Sequence, residues 1–253
     1  MTELLRRPTG VDILDVHRLR LAETAPPLVP PEHRAAMDRV WDDAVRANPS
    51  LFDGPVAACT GLDADGAGRL TISWARTTYR HRALRRVPGA AFLPSLFVGV
   101  LQPDDDGRLV VGRGSPSTAA PGRWQLPGGT AEPPEDHASL DAAALRRHAA
   151  RELAEETGVD APPDGLDLWC VTRGTNGNVG VLFLAPPRPA AWLHDRHAAL
   201  VSAETAQGRE PELDRIALVR SPADAADDLR GPHVDYLDAV LRRYAERTRH
   251  RGA

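Results

Sequence analysis

The stretch "ARELAEETGVD", Ala150 to Asp160, decides how this chain is read. It reads as a helix that stops at Gly158, a residue suited to a helix C-terminus, yet it holds Glu152, Glu155 and Glu156 just before the stop. Acidic side chains favour the first turn of a helix and are unfavourable near its negative end. At 3.6 residues per turn the three positions fall within about a 100° arc, so they share one face. Like charges at i, i+4 each cost a few tenths of a kcal/mol. A solvated acidic face explains a single pair. Three carboxylates together point to a site that supplies positive charge, and hard divalent cations such as Mg²⁺ take carboxylate oxygens while leaving room for a phosphate.

Working outward, 253 residues with 42% hydrophobic and 26% charged side chains suit one large domain, or one domain with a smaller appendage. The formal net charge of −4 argues against a broad nucleic-acid footprint. No apolar run approaches the roughly 20 residues of a membrane span. "MTELLRRPTGVD" lacks the apolar core of a signal peptide, so the cytoplasm is the expected location. Cys59 and Cys170 lie far apart and outside any C-x-x-C, and are expected as buried, reduced thiols. Lys is absent, so all 31 basic residues are Arg. That excludes a Schiff-base lysine and a P-loop, and leaves any phosphate to arginines, backbone amides or a metal ion.

Along the chain, prolines mark residues 1 to 30 as an extended lead-in, followed by helical apolar spacing through Met37, Val40, Trp41 and Val45 up to Asn48 and Pro49. "PVAACTGLDADGAGRLTISWARTTY" reads as a hairpin about "DADGAG", and the basic stretch Arg76 to Gly89 ends at a boundary. Residues 1–89 are thus expected as a small N-terminal α+β subdomain and 90–253 as the main domain. There, "FLPSLFVGVLQ" and "RLVVGRG" read as strands paired about "PDDDG". Two more strands flank the turn Thr175 to Gly177, "RPAAWLHDRHAALVSAE" is mixed, and "DRIALVRSP" is a further strand. A closing amphipathic helix presents Val234, Leu237, Val240, Leu241 and Tyr244. The fold class expected is α/β, with helices packed on a mixed sheet.

"RELAEETGV", Arg151 to Val159, resembles the R-E-U-x-E-E-x-G-U half of the Nudix box at every position, where U is a bulky apolar residue. "WQLPGGTAEPPE" is similar to the lead-in of these hydrolases, and Gly129 followed by five residues and Glu135 fits the G-x5-E half. The spacing between the halves departs from the family: fifteen residues, 136 to 150, stand where the pattern has seven. If helical, the eight extra residues add about 12 Å at 1.5 Å per residue; otherwise they form a loop. The insertion lies N-terminal to Glu152, Glu155 and Glu156 and leaves their mutual geometry intact. A looser resemblance runs from Val40 to Tyr244. "VWDDAVRANPSLFDG", "TTYRHRAL", the stretched box and "ELDRIALV" look like the eukaryotic Nudix hydrolases that cleave UDP-glucose and UDP-galactose, which also carry an N-terminal subdomain and an insertion in the box.

The resemblance implies an α/β/α sandwich and hydrolysis of a nucleoside diphosphate linked to another group. It implies Mg²⁺, with Mn²⁺ as the alternative, held by Glu155, Glu156, the Gly128 carbonyl and Glu152, which either ligates or activates water. Arg151 would orient the glutamates through charge-assisted hydrogen bonds. Of Glu210, Glu212 and Asp214 in "GREPELDRIALV", just before a strand, Glu212 matches the UDP-sugar relatives as one further carboxylate. Tyr79 and Arg80 could cover a base or sugar, Arg113 and Arg173 could hold the diphosphate, and Asn176 or Asn178 could meet sugar hydroxyls. His194 and His197 read as surface residues, and Trp124 as core. The expected substrate is a small nucleotide diphosphate, best a UDP-sugar cleaved to UMP and a sugar 1-phosphate. ADP-ribose or a pathway-specific nucleotide is the alternative substrate, and a non-catalytic nucleotide-sensing domain the alternative function. No nucleic-acid or membrane partner is expected.

Overall fold

The computed structural model describes residues 9–135, 138–224 and 229–251, so the segment 1–8 and part of the box insertion, 136–137, lie outside the described residues. Among the described residues, ten strands form three sheets. The first is β1 (Asp12–Leu14), β8 (Asp167–Arg173), β9 (Val179–Leu184) and β5 (Leu96–Leu101), in that order. Its β5–β9 pair is parallel and the other two are antiparallel. The second sheet is antiparallel, with β10 (Leu213–Val219), β6 (Leu109–Gly114) and β7 (Trp124–Gln125). The third sets β4 (Arg69–Thr78) between β2 (Arg18–Glu23) and β3 (Pro55–Ala64).

Period-2 alternation in the central strands feeds two cores. Leu96, Val98 and Val100 of β5, with Val179, Val181 and Phe183 of β9, face one core. Leu101 of β5 and Leu182 of β9 face the other. The helix α2 (Ala142–Thr157) contributes Leu145, Ala149, Ala150 and Leu153 to the first. The terminal helix, α4 (Leu237–Arg251), contributes Leu237, Val240, Leu241 and Tyr244 to the second, as its apolar spacing predicts. The mixed α/β sandwich is therefore as expected. The buried thiols and buried Trp124 also agree with the reading, and Trp124 Nε1 donates to the Arg230 carbonyl at 3.1 Å.

Helix α1 (Pro31–Ala47) starts with proline at its first position and ends at Asn48. The hairpin β3–β4 forms as read, and Tyr79–Arg86 of the basic stretch makes a 3₁₀ helix. In α2, Asp141 caps the N-terminus by accepting from the Ala144 amide at 2.7 Å, and Gly158 at φ 71° ends it in the left-handed region. The insertion is therefore shared between a loop and an N-terminal extension of α2.

Four readings need correction. The lead-in contains strands: β2 pairs with β4, and β1 pairs with β8 of the central sheet. The prolines obscured this because they follow these strands at 26 and 27. The "mixed" segment is a helix, α3 (Ala190–Ala206). His197 is buried on it, with Nε2 3.0 Å from the Leu213 carbonyl, because α3 packs against β10. Finally, β5 and β6 do not pair beyond their turn, where Asp104 N donates to Arg108 O at 2.7 Å and Val110 N to Gln102 O at 2.9 Å. The segment Pro127–Ala131 occupies that edge of β5 instead. Val98 and Val100 donate to the carbonyls of Gly129 and Pro127 at 2.9 and 2.8 Å, and Ala131 donates back to Leu96 at 2.9 Å.

Among the described residues, no helix is long and apolar enough to cross a membrane. Leu153 is fully buried where α2 meets the sheet. Leu153→Ala is expected to cost about 2–5 kcal/mol in urea unfolding; a cost under about 1 kcal/mol would show that α2 is not anchored through this side chain.

Candidate active site

The edge segment on β5 delivers Gly128 and Gly129 to the end of α2. Gly128 has φ 150°, and a Cβ there would lie 2.2 Å from the Val98 carbonyl oxygen, so only glycine lets the segment lie this close to β5. Its amide donates to Glu156 Oε2 at 2.6 Å. At Gly129 a Cβ would lie 2.5 Å from Glu152 Oε1, so the missing side chain makes the space that the Glu152 carboxylate occupies. The two glycines thus hold two of the three helix glutamates, one through an amide and one through empty volume.

The helix presents its acids at three depths. Glu156 is buried at 3% exposure, Glu152 is largely covered, and Glu155 points to solvent. Glu152 Oε1 lies 2.6 Å from Nε2 of buried His148, one turn earlier on α2. Arg151 is exposed and donates to Glu132 at 2.9 Å, with Glu155 3.9 Å from its Nε. Glu212 stands before β10, where its main-chain carbonyl accepts from Ser115 N at 2.9 Å. Burial, opposed by the Gly128 amide, and then the charges of Glu152, Glu212 and Glu155 push the Glu156 carboxyl well above the usual range. Partial burial and the charges of Glu152 and Glu155 push Glu212 up. Glu155 is pushed up by desolvation and by Glu152, with Arg151 opposing. Buried Tyr236 is raised by desolvation and by the Glu156 charge.

Gly128, Gly129, Glu156, Glu212 and Tyr236 border a pocket of about 300 Å³. Gly128, Gly129, Thr130, Glu156 and Glu212 form one part of its wall; Ser95, Asn178, Asp235, Tyr79 and Arg82 lie elsewhere around it. Asn178 Oδ1 accepts from the Ser95 amide at 3.1 Å and from the Arg85 guanidinium. Asp235 Oδ2 accepts from Thr175 Oγ1 at 2.9 Å.

Three arginines read from the sequence as substrate ligands do not line this pocket. Arg80 turns to Asp38 and Asp53 at 3.1 and 3.2 Å, tying the 3₁₀ helix to α1 and the Asp53 loop. Arg113 makes a bidentate pair with Asp214 across β6 and β10, at 2.9 and 2.8 Å. Arg173 pairs with Asp12 of β1 at 2.6 Å. In each case a carboxylate distant in sequence has taken the guanidinium. Glu135 is exposed. Sequence reasoning missed His148, although its i, i+4 spacing to Glu152 was visible, and missed Arg82, Ser95, Asp235 and Tyr236, which only the fold brings here.

Among the described residues, no three His, Cys, Asp or Glu side chains converge closely enough to hold a metal ion as they stand. The donor set nonetheless fits a hard divalent cation. Glu152, Glu156 and Glu212 lie about one glycine turn with Glu155 on the same helix end, Glu155, Glu156 and Glu212 bind protons more tightly than usual, and Glu152 occupies space that a Cβ at 129 would fill.

The NUDIX domain model matches residues 94–242, more than half of the chain. No curated protein matches. Solved structures similar to the chain include the MutT protein from Methanosarcina mazei Go1, at 17% identity and a TM-score of 0.38 over 61% of this chain and 96% of that one. Shewanella oneidensis NrtR matches at 20% identity and a TM-score of 0.38, over 62% and 64% of the two chains. A NUDIX hydrolase from Nitrosomonas europaea matches at 17% and 0.33, over 63% and 90%.

The raised carboxyls set a pH dependence. A group that binds its proton more tightly when folded adds stability that is full below the unfolded-state carboxylate range and is lost as pH rises through the folded-state value. In chelator, this contribution of Glu155, Glu156 and Glu212 therefore falls as pH rises from the acid range towards neutrality. Glu156→Gln should flatten the melting temperature against pH, and Mg²⁺ at neutral pH should raise the wild-type melting temperature. Identical pH slopes in the wild type and the variant would contradict the account.

His148 is the largely buried partner of Glu152, so His148→Ala should destabilise the fold by about 1.5–3 kcal/mol in urea, the usual size for a hydrogen bond to a charged group.

Proposed function

We propose, from the premise that this chain belongs to the NUDIX domain family and is a Nudix-type nucleoside diphosphate-X pyrophosphohydrolase, that it cleaves a UDP-sugar to UMP and a sugar 1-phosphate. The observation that carries the reading is the gathering of Glu152, Glu156 and Glu212 around the Gly128–Gly129 turn, at a pocket whose wall also offers hydrogen-bonding groups. The choice of a UDP-sugar draws on the resemblance of the 40–244 stretch and on Ser95, Asn178 and Asp235, which suit sugar hydroxyls. Residues 1–89 serve in this reading as a subdomain that covers the substrate through Tyr79.

Hydrolysis adds water across the P–O–P bridge: hydroxide joins one phosphorus, the bridging oxygen leaves with the other phosphate, and a proton is released. A divalent cation, Mg²⁺ or Mn²⁺, would when bound neutralise the charge of the diphosphate and acidify water. Glu155, Glu156, Glu212 and the Gly128 carbonyl would hold it. Glu152 takes the proton of the attacking water, and His148 fixes the orientation of its carboxylate. Arg151, between Glu132 and Glu155, steadies the exposed end of the acidic face. Burial of Glu156 keeps one carboxylate pointed at the glycine turn whatever the substrate does.

Purified protein with Mg²⁺ should release UMP from UDP-glucose or UDP-galactose faster than nucleotides from ADP-ribose or dinucleotides. Glu152→Gln should lower kcat by roughly 10²–10⁴-fold while nucleotide binding persists. Faster turnover of ADP-ribose would replace the UDP-sugar assignment, and undiminished activity of Glu152→Gln would remove Glu152 from the chemistry.

A further inference from the structure

Beside the pocket at Gly128 lies a second cavity of about 390 Å³. Tyr79, Arg82, Thr118 and Ala119 line both, so the two spaces adjoin along these side chains. Beyond that seam the wall is largely apolar, with Val40, Trp41 and Ala44 of α1 and Leu51 after it. The charged side chains of the wall are Arg82, Arg85 and Arg86, with no acid among them. Its shape is built before any ligand arrives. Asn48 Nδ2 donates to the Ser117 and Thr118 carbonyls at 3.0 and 3.3 Å, tying the 115–121 loop to the end of α1. Tyr79 meets Trp41 edge to face at 6.1 Å, and the Arg82 guanidinium lies over its ring at 4.6 Å.

A nucleoside diphosphate sugar must keep its diphosphate by the carboxylates, so its two ends need different space. A sugar carries several hydroxyls, and each one buried in an apolar cavity without a partner is costly. A nucleobase is planar, has two π faces and stacks on aromatic rings and guanidinium planes. We propose that the second cavity is the nucleobase subsite, with Tyr79 and Arg82 at its entrance, and that the sugar stays with Ser95, Asn178 and Asp235. The assignment rests on the preceding reading for the class of substrate. Arg82 at the seam meets the nucleotide where base gives way to phosphate.

Ala44 is half-buried on the cavity wall, and Ala44→Phe would fill the space from the helix side. Calorimetric titration of the full chain with UMP, AMP and ribose 5-phosphate separates the base from the phosphate. In the wild type at least one nucleotide should bind ten or more times tighter than ribose 5-phosphate. In Ala44→Phe, shown folded by its urea midpoint, that preference should shrink to threefold or less, with ribose 5-phosphate itself little changed. Tyr79→Phe should keep the preference and Tyr79→Ala should lose it. A wild type that binds all three alike, or a folded Ala44→Phe that keeps the full preference, would overturn the subsite. A preference for AMP over UMP that Ala44→Phe abolishes would support the subsite and overturn the UDP-sugar reading, so the two fail separately.

Discussion

The hydrogen bond from the Gly128 amide to the Glu156 carboxylate joins three parts of the molecule at one point. The amide belongs to a segment hydrogen-bonded along the edge of β5, the carboxylate to the last turn of α2, and both lie against the same core. Because Gly128 has a left-region φ and Val98 stands where a Cβ would be, the segment has no freedom to retreat from the sheet. The same contact explains why β5 and β6 diverge after a tight turn. One edge of β5 is filled by Pro127–Ala131 and the other by β9, which leaves β6 to pair with β10 and β7.

That arrangement concentrates negative charge where a helix tolerates it least. Glu155 and Glu156 sit in the last turn of α2, whose dipole opposes them, and Glu212 approaches from the strand side. Locally, His148 hydrogen-bonds Glu152, and Arg151 beside Glu132 and Glu155 offsets part of the charge. Burial raises the proton affinity of the Glu156 carboxyl, and the Gly128 amide opposes that rise only in part. Carboxyls perturbed by burial and by one another cluster where chemistry is done more often than where a fold needs only stability.

The arginines behave in the opposite way. With Lys absent, guanidinium groups serve in structural ion pairs as well as in any phosphate contact, and the two uses look alike in a sequence. Arg80, Arg113 and Arg173 are held by Asp38 and Asp53, by Asp214 and by Asp12, partners brought close by strand pairing and helix packing. Arg82, two residues beyond Arg80, lies instead over Tyr79 at the seam of two cavities. A 3₁₀ helix has three residues per turn, so adjacent arginines on it point to different surroundings.

The sequence by itself determined what depends on local spacing. Glutamates at 152, 155 and 156 share a helical face because 3.6 residues make a turn, Gly158 ends that helix, and period-2 runs make the β3–β4 and β8–β9 hairpins. The mixed α/β class followed from the same patterns. Only the tertiary structure decided which side chains meet across long separations. It paired β1 with β8, put the Gly128 segment on β5, buried His197 of α3 against Leu213 of β10 and set Ser95, Asn178 and Asp235 around one pocket. It also graded the three glutamates from buried to exposed, since a helical pattern fixes direction about an axis but not what covers it. Hydrogen bonds and ion pairs between distant segments depend on competition among many equivalent donors and acceptors, and that competition is settled only when the chain is packed.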